Sequence, residues 1–329
     1  MQFNFLLCSE RSGSNLITKI LDAHPEVCGP FPRHAIRYFA PNSYRYGDLD
    51  NDANWKTLVG DITEFMNCGF SDWMTQLTVD QVLAGVQTRT TAAVIRYFYE
   101  YEARAQHKEQ LFVKENHAYE LLSFTLSHFN TAKFVWLVRD PRDMALTWKE
   151  STAHGGVRAG SRMWLRDQGE SLKTYGYLSH LKRIIRVRFE DLVTRPETEA
   201  ARICDFLGLA YSDDMLKFHE KEIVRRNADK NILGGWKDLK SPIMPENVGR
   251  YKTLLSDPEI RYVEALCRHE MECFGYQPDF NEDSDIDELE RQLPNEVQVV
   301  SPERAEIREK YFIHFARVIE KVNQRKLYI

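Results

Sequence analysis

The sequence predicts an α/β fold: a doubly wound, mostly parallel sheet flanked by helices, to which a helical insert and a C-terminal helix are added. Three observations predict it. Four short apolar runs, residues 3–8, Gln110–Val113, Phe134–Val138 and Ile184–Phe189, have the length and composition of strands buried on both faces of a parallel sheet. Helical patterns separate them, as parallel crossovers require. The first run passes through "SERSGSN" straight into a helical stripe, Leu16, Ile17, Ile20 and Leu21, so a polar loop joins a strand to a helix N-terminus.

That loop, Ser9 to Asn15, is an anion site by construction, because free backbone N–H groups and the positive end of the helix dipole meet there. Gly13 lets the backbone come close and Arg11 brings a charge. A triphosphate loop would read GxxxxGK[ST]. "SERSGSN" lacks the leading Gly and the Lys before a hydroxyl residue, which argues against a nucleotide triphosphatase. Arg11, Ser12, Ser14 and Asn15 instead form a compact shell of donors for one phosphate-sized group bearing a transferable substituent.

Next comes a long insert, residues 30–109, rich in aromatics from Phe31, Tyr38 and Phe39 through Trp55, Phe65, Phe70 and Trp73. Singly these read as helix packing; together they can supply an acceptor pocket. In a doubly wound sheet the ligand lies beyond the carboxyl ends of the strands, which selects Lys114–His117, Arg139–Asp143 and Glu190–Asp191. In "KFVWLVRDPRDMALTWKES" a strand ends at Arg139, Asp140 caps, Pro141 takes the first helical position and Asp143 stands where a capping box wants a carboxylate. Thr147, two turns into that helix, closes with Arg139 on one anion from two sides.

The α/β domain spans residues 1–277. Seven carboxylates between Asp279 and Glu290 mark 278–300 as an acidic linker. Ser301-Pro302 then opens a helix, 301–329, with an apolar stripe of Ile307, Tyr311, Phe315, Ile319 and Val322 that must dock on the body or on a second subunit, as in a homodimer.

The 329 residues suit one large α/β domain with additions. A formal charge of −5 gives no support for a nucleic-acid partner, while a small anionic ligand is allowed. Six cysteines without CxxC or zinc-like spacing read as reduced thiols, and no metal site is expected. The first strand begins by Phe3 and no apolar run reaches membrane-spanning length, so the expectation is a soluble, cytoplasmic chain without a membrane span.

Four segments together resemble the sulfotransferases that use 3′-phosphoadenosine 5′-phosphosulfate (PAPS). "ERSGSNL" is similar to their 5′-phosphosulfate loop and "LVRDPRDMALTW" to their 3′-phosphate strand and helix; "VRFEDLVTRPE", from Val187, and "VGRYKTLLSDPEIRYVEALC", from Val248, resemble later family segments. The resemblance covers roughly residues 3–276 and is closer to the bacterial and carbohydrate-type branches than to the steroid and phenol branch. It departs at Glu10, where many relatives have Pro, at Arg11, where the best-known cytosolic branch has Lys, and at Phe189, where Tyr is common.

The resemblance implies a P-loop-type sheet and metal-free, in-line transfer of a sulfuryl group to a hydroxyl or amine of a small-molecule, lipid-like or carrier-bound acceptor, leaving 3′-phosphoadenosine 5′-phosphate (PAP). Arg11, with Ser12, Gly13, Ser14 and Asn15, would stabilise the leaving group; Arg139 and Thr147 would hold the 3′-phosphate, with Lys237 and Arg250 as further candidates; Phe189 would stack on adenine. For the base the preferred residue is His34, after a Pro-Phe-Pro turn, followed by His117 and then Glu115. His24 and His154 read as structural or loop residues. Two other readings stay open: a P-loop nucleotide kinase or phosphotransferase, and a nucleotide-binding module without catalysis.

Overall fold

The computed structural model of the chain describes residues 1–69, 71–151, 154–230, 235–280, 285–293 and 302–325. Phe70 and Ser301 lie outside them, as do the side chains of Ile307 and Tyr311. Strand β1 (Gln2–Cys8) leads into helix α1 (Ser14–Asp22) and then β2 (Val27–Cys28). The insert follows as α2 (Ala35–Phe39), α3 (Asp52–Met66), α4 (Val79–Gly85) and α5 (Thr91–Ala105). Asn51, Thr78 and Thr90 start the last three by accepting backbone N–H groups of the first turn.

Then come β3 (Gln110–Lys114), α6 (Leu122–His128), β4 (Lys133–Val138), α7 (Pro141–Glu150), α8 (Gly156–Leu178), β5 (Ile184–Arg188), α9 (Phe189–Thr194), α10 (Pro196–Leu207) and α11 (Glu222–Asp229). The chain closes with α12 (Tyr251–Leu254), α13 (Asp257–Phe274), α14 (Ile286–Gln292), α15 (Pro302–Ile307) and α16 (Ile313–Asn323).

All described strand pairs are parallel, in the order β2-β3-β1-β4-β5, and Phe5, Leu6, Leu7, Leu111, Phe112, Val135 and Leu137 are buried between helices on both faces, as continuous apolar runs require. The α/β class read from the sequence therefore holds. A fifth strand was missed: β2 is two residues long, too short to carry any periodicity, and is made by pairing with β3. From β1 the chain turns to one side, through α1 to β2; from β4 it turns to the other, through α7 and α8 to β5. The ligand crevice of such a sheet opens where neighbouring strands diverge in this way, between the ends of β1 and β4.

Three local expectations are corrected. Asp143 does not complete a capping box; its carboxylate accepts the N–H groups of Gly249 (2.7 Å) and Tyr251 (3.0 Å), tying a distant segment to α7. The stretch expected to be an acidic linker holds α14, capped by Asp285, with Leu289 buried and Glu290 accepting from Arg162 at 2.7 Å; its residues 281–284 and 294–300 lie outside the described ones. The C-terminal helix is split by a π-turn at Arg308–Phe312. Phe315, Val318 and Val322 are its buried face, and they dock on the chain's own insert: Phe315 meets Phe65 at 4.8 Å and Tyr38 at 5.2 Å. Asp61 of α3 anchors the end through Lys321 (2.9 Å) and Arg325 (2.5 Å).

Candidate active site

The loop after β1 twists twice into left-handed backbone, at Arg11 (φ 69°) and Gly13 (φ 92°). Glycine is required at the second. A Cβ on Gly13 would collide with the ring of Phe189, so its use is to admit that ring as well as the left-handed turn. The Ser12 hydroxyl donates to Ser9 O at 2.6 Å and is fully buried, so it shapes the loop from inside. Ser14 opens α1, and Asn15 accepts from Lys114 Nζ at 2.8 Å. Lys114 ends β3, and burial pushes its pKa down.

Arg139 ends β4 beside this loop, donating to Arg11 O (3.3 Å) and Asn247 O (3.0 Å) with its guanidinium 4.3 Å over the Phe189 ring. Phe189 opens α9 rather than ending β5 and is only 4% exposed, which makes it a support for Arg139 and Gly13 more than an open stacking platform. Buried nitrogens remain unsatisfied here: Nε of both Arg11 and Arg139 has no hydrogen-bond partner. Thr147 donates to Met144 O at 2.7 Å from within α7, and Arg250 pairs with Glu150 at 2.7 Å.

Across the loop, His34 also adopts left-handed backbone (φ 62°). Its Nδ1 faces the Asn116 N–H at 3.3 Å and lies 3.5 Å from Oε2 of Glu115, a carboxylate that is 1% exposed and whose Oε1 accepts the Ile36 N–H at 3.2 Å. The Oε2 atom has no hydrogen bond. Arg11, His34 and His117 are three of the five described non-glycine residues with positive φ; the other two, His107 and Lys182, lie in the turns that lead into β3 and β5.

One cavity of about 830 Å³ collects these residues, a size that suits a nucleotide with an acceptor. Arg11, Gly13, Ser14, Asn15, His34, Arg139, Thr147, Phe189, Lys237 and Arg250 line it; Ser12 and His117 do not. His117 is turned away, stacked on Tyr119 at 5.9 Å with the Arg166 guanidinium 3.2 Å from its Nε2, and burial together with Arg37 and Arg166 lowers its pKa.

The strand-end rule that selected Arg139 also selected Lys114, but sequence reasoning gave it no role; the structure sets it on Asn15 of the loop and in the cavity wall. Sequence reasoning also left His154 as a structural or loop residue. His154 lines the cavity, bonded to Ser151 Oγ at 2.6 Å, with Nε2 3.8 Å from Glu10. Burial works against the Glu10 carboxylate, yet the His154 bond and the charges around it hold its pKa down at about 2. His24, in contrast, serves packing, with Nε2 2.7 Å from Ala210 O. Six Lys and Arg side chains line the cavity against three carboxylates, in a chain of net charge −5. The positive charge is concentrated where the strands end.

A sequence model of the Sulfotransferase family matches residues 5–213. A relative from Caenorhabditis briggsae, named "Putative protein-tyrosine sulfotransferase", is 26% identical over 218 residues, which span 64% of this chain and 66% of that protein, just under two thirds of its length. Among solved structures, the sulfotransferase domain of the Synechococcus PCC 7002 olefin synthase superposes with a TM-score of 0.59 at 20% identity, covering 84% of this chain and 95% of that one. The sulfotransferase domain from the curacin biosynthetic pathway gives a TM-score of 0.56 at 17% identity, over 84% and 98%. At these identities the structures establish the fold, and the family match reaches across more than half of the chain: the protein belongs to the sulfotransferase family.

Proposed function

We propose that the chain transfers a sulfuryl group from PAPS to a hydroxyl or amine of a small-molecule, lipid-like or carrier-bound acceptor. The observation that carries this reading is the pairing of two cationic sites in one crevice, Arg11 on the β1 loop and Arg139 at the end of β4, each with a buried guanidinium nitrogen that no protein atom satisfies. PAPS carries anions at both its 5′ and 3′ ends. Arg11, with the N–H groups at the start of α1, meets the 5′-phosphosulfate; Arg139 and Thr147 meet the 3′-phosphate, with Lys237 and Arg250 flanking it.

In the transfer, the acceptor oxygen or nitrogen bonds to sulfur as the bond from sulfur to the phosphate oxygen breaks, leaving PAP. The electron pair stays on that oxygen, where Arg11 and the helix N-terminus stabilise it. The acceptor proton passes to His34, the histidine of the two candidates that lines the cavity, with the Glu115 carboxylate behind it. None of these steps needs a metal. No described helix is long and apolar enough to cross a membrane, and Cys8, Cys28, Cys204, Cys267 and Cys273 are free thiols; we propose a cytoplasmic location.

A thermal-shift titration tests the donor. PAP at 100 times its dissociation constant adds about 2.7 kcal/mol of stability, and 5′-AMP should add far less. Stabilisation by ATP with magnesium, and not by PAP, would move the assignment to a phosphotransferase; tight PAP binding without transfer to any of a broad acceptor panel would leave a non-catalytic nucleotide-binding module.

A further inference from the structure

The cavity has a second face that the donor does not need. Tyr38, from α2, packs edge-on against Phe315 at 5.2 Å, and Phe312 meets Phe315 at 6.4 Å; all three line the cavity. Phe312 is carried there by the π-turn that splits the C-terminal helix, a local cost in regular hydrogen bonding of the kind found at functional sites. These residues lie outside the stretch that the family model matches, except Tyr38. Beside this apolar wall stands Arg37, half-buried and lining the same cavity.

No carboxylate among the described residues lies within ion-pairing distance of Arg37. The Tyr38 ring lies 5.8 Å from its guanidinium carbon. Of the three cavity carboxylates, Glu150 is taken by Arg250, Glu10 faces His154 and the charge of Asp238 acts on Arg11. Arg37 is close enough to His117 to add, after burial and together with Arg166, to the lowering of its pKa, against the opposing charges of Glu120 and Glu10. A guanidinium that a ligand will cut off from water needs an anion to replace that water.

Resting on the sulfotransferase reading, we infer that the acceptor is an anionic amphiphile. Its apolar body lies along Tyr38, Phe312 and Phe315, its carboxylate, sulfate or phosphate group meets Arg37, and its hydroxyl or amine reaches His34.

The test uses the full chain saturated with PAP and titrated with octanoate and with octan-1-ol, matched probes that differ in the anion. Octanoate should bind at least tenfold more tightly. Arg37→Gln should cost octanoate about tenfold, as loss of a charge-assisted bond does, and leave octan-1-ol and PAP unchanged; Phe312→Ala should weaken both probes while the melting temperature of the PAP complex holds. Equal binding of the two probes by the wild-type chain, or an Arg37→Gln chain that keeps its preference for octanoate, overturns the inference. So does a loss confined to PAP, which would assign Arg37 to the donor. If the wild-type chain binds octanoate through Arg37 yet never binds PAP, the anion site stands and the donor assignment falls.

Discussion

At one end of the cavity, Arg11 and Arg139 follow the ends of adjacent strands, β1 and β4, and the Arg139 guanidinium donates to the Arg11 carbonyl. At the other, Tyr38 comes from a five-residue helix and Phe312 and Phe315 from the far end of the chain, joined to it by ring contacts and by the Asp61 anchor. The first end inherits its geometry from the sheet, where a buried ladder fixes each side chain's height and direction. The second exists only when separately folded pieces pack. The proposed donor site is therefore built on the sheet, while the proposed acceptor wall is built from elements outside the ladder.

Arg11→Ala gives the sharpest test of that division. It removes the cation at the leaving group, so kcat should fall about 10³-fold, roughly 4 kcal/mol of transition-state stabilisation, with the melting temperature of the apo chain unchanged or raised as backbone strain at φ 69° persists but burial of an unpaired guanidinium is relieved. Undiminished transfer by this variant would remove Arg11 from the chemistry.

His34→Ala should follow at about 10²-fold in kcat, the usual worth of a positioned base. Glu115→Gln should cost about tenfold, through loss of the carboxylate 3.5 Å from His34 Nδ1, and both variants should keep their affinity for PAP. An equal loss of PAP affinity in either would make His34 part of the donor end and collapse the contrast between the two.

Gly13→Ala asks how rigid the donor end is. The left-handed φ and the collision with Phe189 together should cost about 2 kcal/mol in a urea melt. Adding Phe189→Ala should recover the collision and not the backbone strain. If the single variant were neutral, the loop would be more pliant than the sheet-built picture allows.

How much of each end was legible follows the same line. Arg11, Arg139 and Thr147 were readable because each sits at a fixed offset from a strand or a helix start, and a doubly wound sheet says where those offsets converge. Lys114 obeys the same rule and was selected by it, but its role was not legible, because its contact with Asn15 joins residues 99 positions apart. The strand β2 was not readable, since two residues carry no period and only pairing with β3 makes them a strand. The stripe through Phe315, Ile319 and Val322 announced an amphipathic helix, but not its dock; Val318 is buried with Phe315 and Val322, and Ile319 only partly. No local pattern records that residues near 38 and 315 meet.

That long-range join is where the last and smallest effect is expected. Asp61 is 3% exposed and accepts from Tyr46 (2.9 Å), Lys321 (2.9 Å) and Arg325 (2.5 Å). Asp61→Asn leaves the Tyr46 bond possible, takes the carboxylate from Arg325 and leaves Lys321 only its pair with Glu64 at 3.0 Å. Lys321 is half exposed and Arg325 partly so, which lets both turn to solvent; the cost is thus about 1 kcal/mol rather than that of stranding a buried charge. Asp61 touches nothing in the cavity, so the loss must reach catalysis through the seating of α16 and of Phe315 upon Tyr38. The acceptor KM should rise about fivefold, PAP affinity should not change, and added salt should weaken the wild-type chain towards the variant. A variant whose acceptor KM is unmoved would show that Phe315 holds its place by packing alone, and that the acceptor wall is as firmly built as the donor end it was contrasted with.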